Sequence, residues 1–341
     1  MGDGLVPLLT GATRDADEYL WTLIGLRWAR VTTGASVDEV LFKKGFAPFE
    51  RALKQYWYKF QRRKSGGIKV VKELCEETKP NLDRHILVDQ RITGLLGNYI
   101  VSLRGMGLVK KDTLSICEDA ADSLLLDIRF EPPRSWASSW PNLGRSFRAV
   151  DLKPARLRLG RRLFGGRSME MANAARAALA HPKATTWGNA ARKELNNEQR
   201  RLADATNPVI ALQNAALDAF GRLIHGDRAL SKPVRRELRS LATAARDVDP
   251  FPSSWPAGTH LRDAIHEAMS SLARGNDPAT TLLKLHVKVT REVRQTEPWL
   301  LHLGEIPAGY QDWQARTSGA DFRFGNLRTL LRQTHWRPHA V

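Results

Sequence analysis

The 341-residue chain carries 53 Lys and Arg against 36 Asp and Glu, a formal net charge of +17. With 42% hydrophobic and 26% charged residues it has the composition of a folded globular protein, which excludes a disordered chain and allows one large core or two ordinary ones. No apolar run approaches the roughly 20 residues that span a bilayer, so no membrane partner is expected.

The opening MGDGLVPLLTGATRDADEYL lacks a basic segment followed by a long apolar one, so no secretory leader is expected. Val6 stands where a myristoylation signal needs Ser or Thr. Cys75 and Cys117 form no Cys-x-x-Cys pair, and reduced, packed thiols in a cytoplasmic protein are the expectation. The basic excess runs through most of the chain. Such a field attracts polyanions without identifying them, so nucleic acid is the first expected partner, DNA ahead of RNA, and acidic protein surfaces the second.

Residues 15–63 read as helical. In DADEYLWTLIGLRWARV, Leu20, Ile24, Leu26 and Trp28 lie near one apolar stripe, and Asp15 or Asp17 suits the N-terminus. In APFERALKQYWYKFQRRK, Pro48 suits a helix start, and Phe49, Leu53, Tyr56, Trp57 and Phe60 recur at helical spacing. That spacing predicts core packing for the aromatics, with base stacking as the alternative; Arg62, Arg63 and Lys64 are candidate phosphate contacts. Ser65–Gly67 breaks the pattern, and IKVVKELCEE is a short helix or extended piece before Pro80.

Residues 81–128 carry the order of a winged helix. Between Thr93 and Gly107, Leu95, Leu96, Tyr99, Ile100 and Leu103 form an inward face, leaving Arg91, Asn98, Ser102 and Arg104 to point out towards phosphates or base edges. Gly105 and Gly107 suit a left-handed helix cap. LVKKDTLSI reads as a strand, a turn and a second strand, with Lys110 and Lys111 placed to touch backbone. Glu118 and Asp119 favour the start of a closing helix. This order resembles the end of many bacterial winged-helix domains, which imply DNA contact but also serve as protein-docking and dimerisation modules.

Pro132 and Pro133 close this region, and residues 131–150 read as a connection with Trp136 and Trp140 docked on a surface. The following chain is rich in Ala, Leu and Arg and predicts helices over 154–164, 168–180, 187–204, 207–224, 231–246, 259–273 and 278–295. Residues 298–314 suggest a small β or turn element, and FRFGNLRTLLRQTHW a terminal helix. Across 145–167, Arg145, Arg148, Lys153, Arg156, Arg158, Arg161, Arg162 and Arg167 face a single acid, Asp151. A helix from Pro154 spreads these cations around an Ala155–Leu159–Leu163 stripe. They suit a phosphate backbone, while a solvated face or an acidic-partner dock is the alternative.

No recognisable phosphate-binding loop, nucleophile elbow or His-Glu-x-x-His motif occurs. His260 and His266 fall on different helix faces, and Glu73, Glu76 and Glu77 read as a solvated face. No catalytic residue, metal or cofactor is expected. The expected fold is mainly α: a helical and winged-helix-like domain over 1–130, a connection over 131–150 and a helical domain over 151–341.

Taken in order, FAPFERALKQYW, LVDQRITGLLGNYIVSLRGMGLV, RQTEPWL and FRFGNLRTLLRQ resemble uncharacterised bacterial proteins of phage-defence and DNA-modification islands. The resemblance implies an accessory, DNA-associated subunit of a multiprotein defence system and transfers no catalytic residues. The expected function is therefore non-catalytic nucleic-acid binding within such a complex. A protein-interaction scaffold, a metal-dependent nuclease and an RNA-guided-complex subunit are the alternatives.

Overall fold

The computed structural model describes residues 5–9, 13, 15–63, 67–87, 90–132, 134–165, 168–184, 187, 192–224, 229–246, 248, 260–293 and 324–338. It is mainly α-helical, as the periodicity predicts. In chain order the longer helices are α1 (Ala16–Thr33), α2 (Ala47–Gln61), α3 (Ile68–Glu76), α4 (Gln90–Thr93), α5 (Leu95–Gly105), α6 (Glu118–Leu124) and α7 (Trp140–Arg148). They are followed by α8 (Lys153–Phe164), α9 (Met169–Ala180), α10 (Asn197–Ile224), α11 (Lys232–Ala245), α12 (His260–Ala273), α13 (Pro278–Lys288) and α14 (Phe324–Thr334).

The chain divides into two compact units, at other places than the expected boundaries. One comprises Val6–Arg176 with Gly325–Val341, the other Met1–Leu5 with Ala177–Phe324. The first unit is built around α1. Asp15 caps it, its Oδ1 accepting from the N–H groups of Asp17 at 2.8 Å and Glu18 at 3.4 Å, two donors that the helix itself leaves unmatched. Tyr19 to Leu26 are all buried, so α1 is an interior helix rather than a one-sided one. The run leading into α2 starts at Asp38 and passes through a π-helical turn, Leu41–Phe46, instead of starting at Pro48. That wide turn lies just ahead of the proline, which has no N–H to donate and whose ring crowds the carbonyl four residues back, at Lys44 within the turn.

Phe49, Leu53, Tyr56 and Trp57 are buried, as their spacing predicts, while Phe60 of the same stripe is only half-buried. Their neighbours come from afar in sequence: Phe49 meets Phe130 at 5.3 Å, Phe130 meets Trp136 at 5.7 Å, and Trp21 meets Phe147 at 5.2 Å between ring centroids. Trp136 and Phe147 are therefore part of this core, within a stretch expected to be a connection between domains.

The winged-helix expectation is corrected. Helix α5, a reversal and α6 follow in the expected order, and Gly107 takes the left-handed conformation (φ 66°) that ends α5. The reversal, however, holds one isolated antiparallel bridge, Val109 to Ile116, where two strands are expected. Side chains hold its turn: Asp38 Oδ1 accepts from the Leu114 N–H at 2.9 Å, and Arg104 Nη2 donates to the Thr113 carbonyl at 3.0 Å. The Lys110 N–H donates to the Ser115 carbonyl, but the Ser115 N–H, which a continuing ladder would return to Lys110, is taken by Thr113 Oγ1 at 3.2 Å, and the ladder stops there.

In the second unit, Val209, Leu212, Phe220 and Leu223 of α10 pack with Leu238 and Ala242 of α11, Met269 and Leu272 of α12, and Leu282 of α13. Helix α10 runs through Pro208, where a break is expected; Thr206 Oγ1 donates to the Ala203 carbonyl at 2.7 Å in the turn the proline interrupts. The small β element expected over 298–314 lies outside the described residues.

Candidate nucleic-acid interface

The residues expected to read DNA from α5 and its flank are largely engaged within the protein. Ser102 is wholly buried, contrary to the outward position expected of it, because the inward face is wider than the aliphatic stripe and includes Tyr99, Ser102 and Leu103. Arg104 braces the turn through Thr113. Arg91 pairs with Glu39 at 3.2 Å and lies 5.9 Å from the Phe42 ring centre. Asn98 is half-buried, and Lys110 and Lys111 are exposed at the turn.

Several of the arginines on α8 are likewise internal ties. Arg156 grips Asp17 with two bonds, 2.6 Å from Nε to Oδ1 and 2.9 Å from Nη2 to Oδ2. That bonding raises its guanidinium further above the ordinary arginine range. Arg158 donates to the Leu124 carbonyl at 2.8 Å and to Asp127 at 3.1 Å, and Arg162 to the Met106 carbonyl at 3.1 Å. Arg63 bonds both Asp15, at 2.8 Å, and Glu18, and lies 4.1 Å from the Trp57 ring centre. The acidic first turn of α1 thus holds two arginines expected on the interface. Lys153 and Arg161 are exposed on α8, and Arg62 is exposed in the left-handed cap of α2 (φ 54°). Lys64 and Arg167 lie outside the described residues.

The cations left to solvent beside aromatic surface are on α7. Ser139 caps this helix, Oγ accepting from the Asn142 N–H at 3.4 Å, and Pro141 occupies its first turn. Leu143, Gly144 and Phe147 face the core, which turns Arg145 and Arg148 outward one helical turn apart. Neither makes a side-chain hydrogen bond or ion pair among the described residues; the Arg148 guanidinium lies 4.8 Å from the ring centre of Phe60. Gly144 makes that arrangement possible, since a Cβ there would stand 2.9 Å from Phe60 Cζ.

Open grooves flank α7. One, of about 480 Å³, is lined by Phe60, Pro141, Gly144, Arg145 and Arg148. The other, of about 310 Å³, lies among Arg129, Phe130, Asn142, Arg145 and Val150, and Glu131 adds a negative charge to it. Nearby, Lys59 Nζ donates to the Cys75 carbonyl at 2.6 Å and stands 4.2 Å from the Trp140 ring centre. Sequence reading marked Arg145 and Arg148 but missed Arg129 and the part played by Phe60. The nearest signal was the aromatic-basic interleaving at 54–64.

A second constellation, also missed, is buried. Glu50 is 0% and Lys54 4% exposed, with Nζ and Oε1 3.2 Å apart. Glu50 also accepts from the Leu95 N–H at 2.8 Å and from Gln90 Nε2 at 3.0 Å. Beside it, Arg51 donates to Gln90 Oε1 at 3.0 Å and to the Leu82 carbonyl at 2.7 Å, and burial pushes its guanidinium down. These bonds attach Leu82, Gln90 and Leu95 to α2 and cap α5 with a carboxylate from elsewhere in the chain. No group of His, Cys, Asp and Glu suited to a metal occurs among the described residues. No helix among them is long and apolar enough to cross a membrane.

Comparisons with protein-family models, curated proteins and solved structures find no match.

Proposed function

We propose that the chain is a non-catalytic nucleic-acid-binding protein, DNA ahead of RNA, that touches phosphates through the outward face of α7. The observation that supports it best is the pair Arg145 and Arg148, exposed and without acidic partners among the described residues, on grooves that also hold Phe60 and Arg129. The net charge of +17 supplies the long-range attraction. Lys110, Lys111, Lys153 and Arg161 are further exposed cations available to a backbone. The sequence resemblance suggests the setting, a subunit of a cytoplasmic bacterial anti-phage defence or DNA-processing complex.

Affinity for DNA is expected to fall steeply with salt, because each neutralised phosphate releases a counterion. Replacing both Arg145 and Arg148 by Ala should flatten the log–log salt slope by roughly 2, while Arg156→Ala should leave it unchanged. An unchanged slope in the double variant rejects the assignment to α7.

A further inference from the structure

We infer that the α7 face takes single-stranded nucleic acid in preference to duplex, a reading that rests on the nucleic-acid assignment above. Duplex sequence is read by polar side chains entering the major groove from a protruding helix or ribbon. Helix α5, expected to do this, has Ser102 buried and Arg104 tied to Thr113. On α7 the candidate amide reader is held too: Asn142 Nδ2 donates to the Ser135 carbonyl at 3.3 Å and to Ser138 Oγ at 3.2 Å.

What the face offers is a planar guanidinium on an aromatic ring. Arg148 and Phe60 are 4.8 Å apart, and Phe60 is backed by Tyr56 at 5.6 Å. Both line the larger groove. Base faces are open to such a surface only when the strand is unpaired, because in a duplex they are stacked on one another. Arg145 borders both grooves and Arg129 lies on the far one, so cations flank the stack on the course a backbone would follow. A base would lie on the Arg148–Phe60 pair, with adjoining phosphates at Arg145 and Arg129.

The test is fluorescence anisotropy of the full chain with three probes: oligothymidine, oligouridine and a blunt hairpin duplex of equal phosphate number. Either single strand should bind about tenfold or more tighter than the duplex. The oligothymidine and oligouridine arms identify which sugar is preferred. Arg148→Lys keeps the charge and removes the plane; it should retain the salt slope and reduce the single-strand preference several-fold. Phe60→Leu, checked for folding by thermal denaturation, should do the same. Duplex binding as tight as single-strand binding overturns the inference while leaving the nucleic-acid reading intact. So does a preference that survives Arg148→Lys. Absence of salt-dependent binding to all three probes overturns the nucleic-acid reading itself.

Discussion

Arg156 commits its guanidinium to Asp17, 139 residues away, in two parallel bonds, whereas Arg145 extends from α7 with no acidic partner among the described residues. The two should therefore separate stability from binding. Arg156→Ala loses a bidentate, partly solvent-screened pair and should lower unfolding free energy by about 1 kcal/mol without weakening nucleic-acid affinity. Arg145→Ala should change stability by less than about 0.5 kcal/mol and weaken affinity. Urea denaturation and anisotropy on the same two variants read both effects. The cysteines differ in the same way. Cys75 is buried and its Sγ donates to the Gln55 carbonyl, and burial pushes its thiol up to about 11. Cys117 is half-buried. Thiolate is the reactive form, so a disulfide reagent at neutral pH should label Cys117 at least about tenfold faster than Cys75, with the second thiol appearing on unfolding. The division of the arginines into ties and free cations was not legible in the sequence. Run 145–167 shows its bases locally, but the acids that claim some of them sit at Asp17 and Asp127.

Helix α2 shows why the buried polar network was equally hidden. Its aromatics fit one stripe, and a one-sided helix would have left Glu50, Arg51, Lys54 and Gln55 in water. Residues 81–85, Gln90 and Leu95 meet that other face, so these side chains are enclosed and matched to backbone groups: Gln55 Nε2 donates to the Asn81 carbonyl at 2.7 Å and Oε1 accepts from the Asn81 N–H at 3.2 Å. Glu50→Ala removes a buried carboxylate from Lys54, the Leu95 N–H and Gln90 at once and should cost about 3–5 kcal/mol. Glu50→Gln, which can still accept from the Leu95 N–H, should cost less. At α13 the cap is Asp277, which accepts from the Thr280 N–H at 2.9 Å, a bond that holds its carboxyl below the usual carboxylate range. Its folded pKa lies below the unfolded value near 3.9, so the cap's contribution is complete above that pH and is lost as pH falls through the folded value. Asp277→Asn should retain most of the cap at neutral pH and remove this part of the acid sensitivity, as acid titration of thermal stability will show.

At the scale of the molecule, α8, α9, α11 and α12 lie within a residue of their expected spans, where Pro, Gly or Asn-Asp punctuates Ala- and Leu-rich periodicity. Not legible were α10, expected as two helices over 187–204 and 207–224, α13, expected to run to 295, and the division into units. Local pattern treats neighbours in sequence as neighbours in space, and here the last helix belongs with the first. The Ala16 N–H donates to Gln333 Oε1 at 2.8 Å, Phe164 and Trp336 lie 5.5 Å apart, and Leu327 and Leu330 are wholly buried. Gly160 lets α14 approach α8, since a Cβ there would stand 2.7 Å from Thr334 Cβ. Each such buried apolar side chain contributes about 1.5–3 kcal/mol, so deleting Gly325–Val341 removes more than about 5 kcal/mol, comparable to the whole stability of a domain. Leu330→Ala is the milder version, at about 2–5 kcal/mol. Native-state hydrogen exchange on either variant should show protection lost in α1 and α8 and retained in α10–α13, whose Leu212, Leu238, Met269 and Leu282 belong to a core cluster of their own unit. Equal loss across both sets of helices would mean that the units do not unfold separately and that the division into two is one of contacts alone.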